Sequence, residues 1–513
     1  MKYDHIVVGG GTAGCILAAE LSEDPARAVL LLEAGPEYPD FDQLPDPLKY
    51  GWGLINLQAR AAGSPFNWSF TGTATPQQSE PMPVPRGKVL GGSSAINGQT
   101  FIRGAPEDFD TWASMGNDEW SYLKVLPYFR RIENDEDFRD DFHGTDGPVP
   151  VRRHKREDWP PLQEAFYQAC VSDGYPYNPD LHNPDATGVS QRAENNVEGV
   201  RMSMALTHIE PNRSRLNLTI KANVQVMRIV FSGKRATGLE VESGGERFLV
   251  EGKQITLCAG AVGSPQLLML SGIGPKDQLE PLGIPVVSET PGVGQNMRDH
   301  PNVVVRFTVH EDRPDETVAR RALRLRYTAT ASPTPNDMIL TPSSLNTVVK
   351  EGDDPTHSIG CGLYLAIGKG ELRLVSTDPK VQPSMDYHYL EEAWDRERLR
   401  EAVRKCVALL DGASYEGIVN QRTTPTDADL MSDEVLDDWM LRNVSSSFHI
   451  SGTCKMGVAS DPMAVVDQFL NVRDVEGLRV ADASVMPDVV RANTNVTTMM
   501  IAERAAEFIR EGR

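Results

Sequence analysis

Residues 5–33 read HIVVGGGTAGCILAAELSEDPARAVLLLE, and this stretch decides the fold. A short apolar run leads into a glycine-rich turn, an alanine-rich segment and a second apolar run. The pattern predicts strands at residues 6–8 and 28–32, with a helix from about Thr12 to Leu21 between them. A strand, a helix and a second strand in this order form a βαβ unit, which indicates an α/β fold with a parallel sheet.

The glycine-rich turn has the spacing of a dinucleotide-binding loop. Its three glycines follow the pattern G-x-G-x-x-G and are Gly9, Gly11 and Gly14. The first allows a tight turn, the second lets the backbone approach a pyrophosphate, and the third lets the helix pack closely on the strand. The start of the helix, at Thr12 and Ala13, presents free N–H groups and a positive dipole end to the phosphates.

An acidic residue follows the second apolar run. Glu33 lies roughly 20 residues after the glycine turn, at the position from which a carboxylate accepts hydrogen bonds from ribose hydroxyls. A carboxylate there favours a free ribose over a 2′-phosphate, so FAD or NAD fits better than NADP. The sequence therefore predicts a dinucleotide-binding protein.

Length, charge and cysteine usage exclude several classes of protein. A chain of 513 residues is expected to form two or more domains, or one large domain with a cap. The formal net charge of −21 argues against nucleic acids and anionic membrane surfaces as partners. No two of the six cysteines have C-x-x-C spacing, so we expect no metal site. Without a signal peptide or an apolar run of about 18 residues, we expect a cytoplasmic protein with no membrane span.

Five further motifs follow the opening unit along the chain. They read GKVLGGSSAINGQTFIRGAPEDFD (87–110), GAVGSPQLLMLSGIG (260–274), HISGTCKMG (449–457), VADASVMP (480–487) and NTNVTTMMIAERAA (493–506). Together with the N-terminal unit they span residues 3–506, and in sequence and order they resemble the motifs of the glucose-methanol-choline (GMC) family of flavin oxidoreductases. The resemblance implies the FAD-dependent oxidation of an alcohol to an aldehyde. A primary alcohol is expected, with aromatic or furanic alcohols as candidates and choline-like or aliphatic alcohols still open.

The pattern of strands and helices along the chain predicts two domains that are assembled from separated segments. Strand and helix signals recur in the middle of the chain and at its end, where a last helix is predicted from about Thr497 to Arg510. We predict an α/β fold class (α+β overall), with a Rossmann-like FAD-binding domain and a substrate-binding domain that contains an antiparallel sheet and helices. The predicted segments are 1–154, 216–300 and 448–513 for the FAD-binding domain, and 155–215 and 301–447 for the substrate-binding domain.

A second loop is predicted to contact the flavin. Gly91, Gly92 and Ser93 form a turn whose backbone N–H groups can cradle an anion or a ring edge. In the family this loop lies along the flavin and the pyrophosphate, and Asn97 matches a position close to the flavin ring. Some relatives attach the flavin through a histidine of this loop. Here the matching residue is Ile96, so we expect non-covalent FAD.

The resemblance adds three more cofactor contacts. Val226 matches a strand residue whose backbone meets the adenine. Asp482, with Ala483 beside it, follows a predicted strand and matches the family's acid near the ribityl and phosphate part of FAD.

A histidine near the C-terminus is the predicted catalytic base. His449 heads HISGTCKMG and matches the family's active-site histidine, whereas His300, in GQNMRDHP, is expected to brace a loop. The second member of the family's pair is a histidine or an asparagine, and Asn495 matches it, with Asn493 as the alternative. A neutral imidazole, with a pKa of about 6.5, can take a hydroxyl proton at neutral pH. An asparagine amide can hold the alcohol oxygen in place.

The sequence leaves several alternatives open. The electrons can pass to dioxygen, as in an oxidase, or to a quinone or protein acceptor, as in a dehydrogenase. The same fold also serves hydroxynitrile lyases and light-driven fatty-acid decarboxylases. A plain NAD(H)-dependent dehydrogenase and a non-enzymatic flavin carrier are weaker alternatives. The residues of the substrate pocket are expected within 301–447, where the sequence does not identify them.

Overall fold

The computed structural model describes residues 2–310, 321–330, 332–347 and 356–513. The opening βαβ unit consists of the strand Lys2–Val8, the helix Thr12–Leu21 and the strand Val29–Leu32, as predicted. The two strands pair in parallel. All four residues of the second strand are buried, which is typical of a parallel strand covered on both faces.

The opening unit is part of a seven-stranded sheet, here called the first sheet. In spatial order its strands are Leu218–Lys221, Val29–Leu32, Lys2–Val8, Glu246–Leu257, Arg235–Ser243 and Gln225–Ser232, with Leu478–Val480 also paired to Glu246–Leu257. The C-terminal helix Thr494–Arg510 packs along the helix Thr12–Leu21 on this sheet. Segments from the start, the middle and the end of the chain therefore meet around one glycine turn.

The described residues also form a seven-stranded antiparallel sheet, here called the second sheet. In spatial order its strands are Val419–Thr424, Pro301–Val309, Thr356–Leu363, Met338–Thr347, Leu323–Tyr327 and Gly188–Gln191, with Ser445–Ser446 also paired to Pro301–Val309. Side chains of Pro301–Val309 alternate between buried and half-buried, because successive side chains point to opposite faces. The amphipathic helix Ala393–Leu410 covers one face of this sheet.

Shorter elements fill the space around the two sheets. The other α-helices of the described chain are Asp46–Lys49, Ile55–Gln58, Pro106–Ser114, Tyr122–Ile132, Pro161–Ser172, Gly260–Leu270, Lys276–Leu279 and Asp433–Asn443. The short strands are Phe70–Gly72, Met82–Val84, Glu133–Asp135, Val149–Arg153, Ala193–Glu194, Asn196–Val197, Val200–Arg201, Ile273–Gly274, Ser288–Glu289, Glu371–Arg373 and Ser384–Asp386. The mixed α/β class predicted from the sequence is confirmed, and the domain boundaries stay a prediction. Among these helices none is long and apolar enough to cross a bilayer.

The C-terminal helix begins three residues earlier than the sequence predicts. It spans Thr494–Arg510, and Asn493 is its N-cap residue, with a non-helical φ of −57° and ψ of 131°. The apolar pattern that predicts the helix starts only later, so it does not reveal this first turn. The earlier start matters for the site, because it makes Asn493 the N-cap residue and places Asn495 in the first turn of the helix.

Candidate active site

Both sheets and the C-terminal segment enclose one large cavity. Its volume is about 910 Å³, within the range of cavities that hold cofactors and small substrates. Of the predicted cofactor residues, all except Gly14 and Gly91 line this cavity. The cavity wall also includes His449, Asn493 and Asn495. Segments that lie far apart in the sequence are therefore brought to one place.

The two glycine loops touch each other at the floor of the cavity. A Cβ atom on Gly92, whose φ is +52°, would lie 2.6 Å from the Cα of Gly11. A Cβ on Gly14 would lie 1.9 Å from the carbonyl oxygen of Gly9, so this position supports the close packing of helix on strand. Gly91 donates its N–H to the carbonyl of Gly10 over 2.7 Å. The two loops therefore form a backbone-lined space around Gly11 and Gly92, here called the cradle, which a side chain at Gly92 would fill.

Glu33 holds the glycine turn to the end of the second strand. Its two carboxylate oxygens accept the backbone N–H groups of Gly10 and Gly35, each over 2.8 Å. Burial raises the pKa of Glu33 to about 7, although hydrogen bonds from the N–H groups of Gly35 and Gly10 oppose the shift. The carboxylate therefore already has a structural role, and it also faces the cavity where a ribose would be bound.

Asp482 follows the strand Leu478–Val480 at the same edge of the first sheet as Glu33, and it connects its own turn to the start of the helix Gly260–Leu270. It accepts the N–H of Gly260 over 2.9 Å, the hydroxyl of Ser264 over 2.6 Å and the N–H of Ser484 over 2.8 Å. Burial raises its pKa, with the hydrogen bond from Ser264 as the largest opposing effect. The carboxylate thus fixes the start of the helix Gly260–Leu270 beside the cavity.

The remaining predicted cofactor residues present polar atoms or backbone to the cavity. Asn97 accepts the N–H of Gln99 over 2.8 Å, and Ser93 accepts the N–H of Gly87 over 3.2 Å, so both side chains brace the second loop. The backbone positions on the wall are Ala13, Val226 and Ala483. These side chains and backbone atoms form a lining that suits an elongated, polar cofactor.

The structure places Asn493, and not Asn495, beside His449. The Asn493 Nδ2 atom lies 2.7 Å from the His449 Nε2 atom. Asn495 turns toward the first helix instead, where its Oδ1 accepts the hydroxyl hydrogen of Thr12 over 2.7 Å. The Asn495 Nδ2 atom is buried and has no hydrogen-bond partner within the described chain. The two asparagines differ because one caps the helix and the other lies in its first turn.

A hydrogen-bond chain fixes the tautomer of His449. The carbonyl of Val490 can only accept, so His300 Nε2, 2.9 Å away, carries a proton. His300 Nδ1 is then an acceptor, and it receives the proton of His449 Nδ1 over 2.8 Å. The His449 Nε2 atom is left with its lone pair, which accepts the Asn493 amide hydrogen. His300 thus orients the imidazole, a role beyond the loop brace that its sequence context predicts.

The imidazoles of His300 and His449 are both held neutral. Burial, followed by the effects of His300 and Arg324, holds the pKa of His449 well below its ordinary value. Burial lowers the pKa of His300 to about 3. An unprotonated Nε2 is the form that a general base requires.

Two further residues support the pair and are not identified by the sequence motifs. Asp299 Oδ1 accepts the backbone N–H of His300 over 2.7 Å and that of His449 over 2.9 Å, which joins the two segments. Arg324 donates to Asn493 Oδ1 over 2.9 Å, so the amide presents its Nδ2 to His449. Asp299 lies within the GQNMRDHP stretch, but Arg324 comes from a strand without a recognisable motif.

Comparisons with known proteins identify the family to which the chain belongs. The models of the GMC oxidoreductase N-terminal and C-terminal regions match residues 3–302 and 367–502. A GMC-type oxidoreductase of Rhodococcus erythropolis is 35% identical over 99% of this chain and 98% of its own. Human mitochondrial choline dehydrogenase is 35% identical over 99% of this chain and 90% of its own.

A solved structure shares the fold over nearly the whole length. The pyridoxine 4-oxidase of Mesorbium loti superposes with a TM-score of 0.91 at 29% identity, covering 99% of each chain. The family models and the relatives together cover both sheets and the cavity between them. The chain therefore belongs to the GMC oxidoreductase family, whose members are FAD-dependent enzymes that act on CH–OH groups.

Proposed function

We propose that the protein oxidises a primary alcohol to an aldehyde, with His449 as the base and non-covalent FAD as the cofactor. The observation that carries the proposal is the lone pair of His449 Nε2, held toward the cavity beside the Asn493 amide. The relatives named above act on choline and pyridoxine, and both of these compounds are alcohols.

The residues of the cavity fit FAD. The two loops approach so closely at Gly11 and Gly92 that a Cβ atom on Gly92 would not fit. Their backbone N–H groups can therefore lie directly against a pyrophosphate or a ring edge. The partnerless Nδ2 of Asn495 is a buried donor that a bound cofactor would satisfy. Ile96 has no nucleophilic atom to form a covalent link. When bound, FAD supplies a hydride acceptor, the chemistry that protein side chains lack.

The side chains of this chain would bind, orient and deprotonate the alcohol. The hydroxyl oxygen is expected to enter between His449 Nε2 and Asn493 Nδ2, which now contact each other. The Asn493 amide then donates to the oxygen, and His449 Nε2 accepts the hydroxyl proton. We infer that Asn493 takes the positioning role predicted for Asn495, and that Asn495 serves the cofactor.

We propose two classes of electron acceptor, and the cytoplasm as the cellular location. Dioxygen and a quinone or protein acceptor are both compatible with an enzyme of this family. The six cysteines are free and buried, which fits the reducing conditions of the cytoplasm.

Anaerobic titration of the purified yellow protein with a panel of alcohols tests the proposal. A substrate bleaches the flavin absorbance, and readmitting air distinguishes an oxidase from a dehydrogenase. His449→Ala is expected to lower turnover by about 100-fold or more while FAD stays bound. The matched control is His310→Ala, because His310 is exposed. Unchanged turnover in flavin-loaded His449→Ala would refute the assignment. A protein that no alcohol bleaches would point instead to a lyase or a decarboxylase.

A further inference from the structure

Three arginines give one wall of the cavity a positive charge. Arg60 follows the helix Ile55–Gln58, and Arg321 and Arg324 lie at the start of the strand Leu323–Tyr327. Within the described ranges, no carboxylate forms an ion pair with any of the three. Arg324 is buried, Arg60 is half-buried and Arg321 is exposed. A wall that collects positive charges around one cavity in this way attracts anions.

Among the residues that the structure describes, the side chains of these arginines donate few hydrogen bonds, and these go to neutral groups. Arg60 donates to Asn56 over 3.4 Å, and its buried Nε has no partner in the described structure. The Arg321 Nε atom lies 3.4 Å from the hydroxyl of Ser343. Burial, and then the charge of Arg321, lowers the pKa of Arg60 to about 10, which indicates that the two guanidinium groups repel each other. A ligand anion would relieve this repulsion and complete their hydrogen bonds.

The acidic groups of the cavity lie elsewhere. Among the described lining residues the carboxylates are Glu33 and Asp482, and both accept backbone N–H groups around the glycine turn or at the helix Gly260–Leu270. The whole chain has a formal net charge of −21, so a cationic wall does not reflect its average composition. Arg324 links this wall to the reacting atoms, because it donates to Asn493, which contacts His449.

We propose that the substrate is an alcohol with an anionic group, a carboxylate or a phosphate, bound by Arg60 and Arg321 while its hydroxyl meets His449. The inference rests on the alcohol oxidation proposed above and narrows its substrate class. Guanidinium groups bind planar carboxylate and phosphate oxygens in pairs. The same charges repel a quaternary ammonium alcohol such as choline, so we expect this chain to differ in substrate from the choline dehydrogenases.

Four benzyl alcohols of similar shape, with choline as a fifth compound, test the proposal on the FAD-loaded enzyme. The benzyl alcohols are 4-(hydroxymethyl)benzoate, its neutral methyl ester, 4-(hydroxymethyl)phenyl phosphate and the cationic 4-(aminomethyl)benzyl alcohol. We expect kcat/KM for flavin reduction to be at least about tenfold higher for an anionic compound than for the ester, and lowest for the two cations. The more reactive of the two anions identifies carboxylate or phosphate as the recognised group.

Variants of the wall then locate the effect. Arg321→Gln and Arg60→Gln are expected to reduce the anion-to-ester ratio of kcat/KM by about tenfold each, and Arg321→Glu to favour the cationic alcohols. Arg247→Gln is the control, because Arg247 is an exposed residue that pairs with Glu242 on a hairpin. Benzoate, which has no hydroxyl, should inhibit competitively and do so more weakly in Arg321→Gln, whereas benzamide should not inhibit.

Each outcome separates this inference from the function on which it rests. Faster flavin reduction by the ester or by choline than by both anions would overturn the anionic substrate and leave alcohol oxidation intact. An unchanged anion-to-ester ratio in both glutamine variants would also overturn it. If no alcohol reduces the flavin, the proposed function fails, and the binding of benzoate still reports whether the wall recognises an anion.

Discussion

At the scale of single residues, the reactivity of the site depends on the direction of each hydrogen bond around His449. The Val490 carbonyl at one end can only accept, and the Arg324 guanidinium at the other end can only donate. Each residue between them therefore has one possible proton arrangement. The hydrogen bonds that run from Arg324 through Asn493 and His449 to His300 therefore leave the Nε2 atom of His449 unprotonated at neutral pH.

The two asparagines at the start of the last helix should respond differently to removal. Asn493→Ala removes the amide that contacts His449 Nε2, so kcat/KM should fall by about 100-fold, as for the loss of one oriented donor. Asn495→Ala removes the contact with Thr12 and a cavity-facing donor, so FAD retention should weaken while the loaded fraction keeps most of its turnover. Steady-state kinetics and FAD titration of both variants measure the difference. The reverse pattern would return the positioning role to Asn495.

The pH dependence of the reaction should reveal the charge of Arg324. Activity requires neutral His449, so kcat/KM rises as the pH rises through its pKa. Burial, then His300 and Arg324, keep this pKa well below 6.5, so the acidic limb of the profile should lie below pH 6.5. Arg324→Gln removes a positive charge, which raises the pKa of His449 and moves the limb to higher pH. Arg324→Lys keeps the charge and should leave the limb closer to that of the wild type.

A pH profile with a neutral alcohol as substrate makes this measurement, because the substrate then does not titrate. An acidic limb at the same pH in the wild type and in Arg324→Gln would contradict the electrostatic role. Arg324→Gln still offers an amide to Asn493, so a shift of the limb separates charge from hydrogen bonding.

At the scale of elements, local patterns predicted the opening unit well and the last helix less well. The strand, the glycine turn and the helix Thr12–Leu21 follow from neighbouring residues, and their positions agree with the prediction. The last helix begins at Thr494, before its apolar pattern starts, and it packs against Thr12–Leu21, a contact that the local sequence does not reveal. With the helix beginning at Thr494, Asn493 lies beside His449 and Asn495 lies beside Thr12.

The contact between the two glycine loops can be separated from backbone strain. Gly92 has a φ of +52° and Gly233 a φ of +61°, so alanine at either position is strained by roughly 1 kcal/mol. A Cβ on Gly233 meets nothing within 4 Å, whereas one on Gly92 lies 2.6 Å from the Cα of Gly11. Gly92→Ala should therefore displace the loop that contacts Gly11 and weaken FAD binding by about tenfold or more. A tenfold change in Kd corresponds to about 1.4 kcal/mol of binding free energy.

Gly233→Ala is the matched control for this prediction, because its backbone conformation is similar and its turn lies away from the cavity. FAD titration and thermal unfolding of both variants provide the measurement. Equal FAD affinity in the two variants would show that the loops need no close approach.

At the scale of the whole molecule, the site depends on contacts that no local pattern contains. His449, His300 and Arg324 come from three separate regions of the chain and meet only in the folded structure. Family motifs predicted His449 and most of the cofactor residues on the cavity wall, because these residues lie within recognisable turns. Arg60, Arg321 and Arg324 lie in segments without a motif, so their convergence on one wall could be found only in the structure.

The cavity also implies that the stability of the folded chain depends on its cofactor. A ligand that binds only the native state stabilises it by about 2.7 kcal/mol at a free concentration of 100 times its Kd, so removal of FAD should lower the Tm. ADP, the part of FAD that would lie near Glu33 and the first glycine turn, should restore only a fraction of the loss. It contains the pyrophosphate but lacks the ribityl and flavin parts of FAD, which would extend to Asn97 and to the amide of Asn495.

Thermal unfolding of the apoprotein with increasing FAD or ADP measures both effects. Glu33→Gln should reduce the shift produced by ADP, since its amide cannot accept both N–H groups that Glu33 now holds and the turn loosens. Asn495→Ala should leave the ADP shift unchanged and reduce the FAD shift. If ADP stabilised the apoprotein as much as FAD does, the parts of the cavity around Asn97 and Asn495 would contribute nothing to FAD binding, which would contradict this prediction.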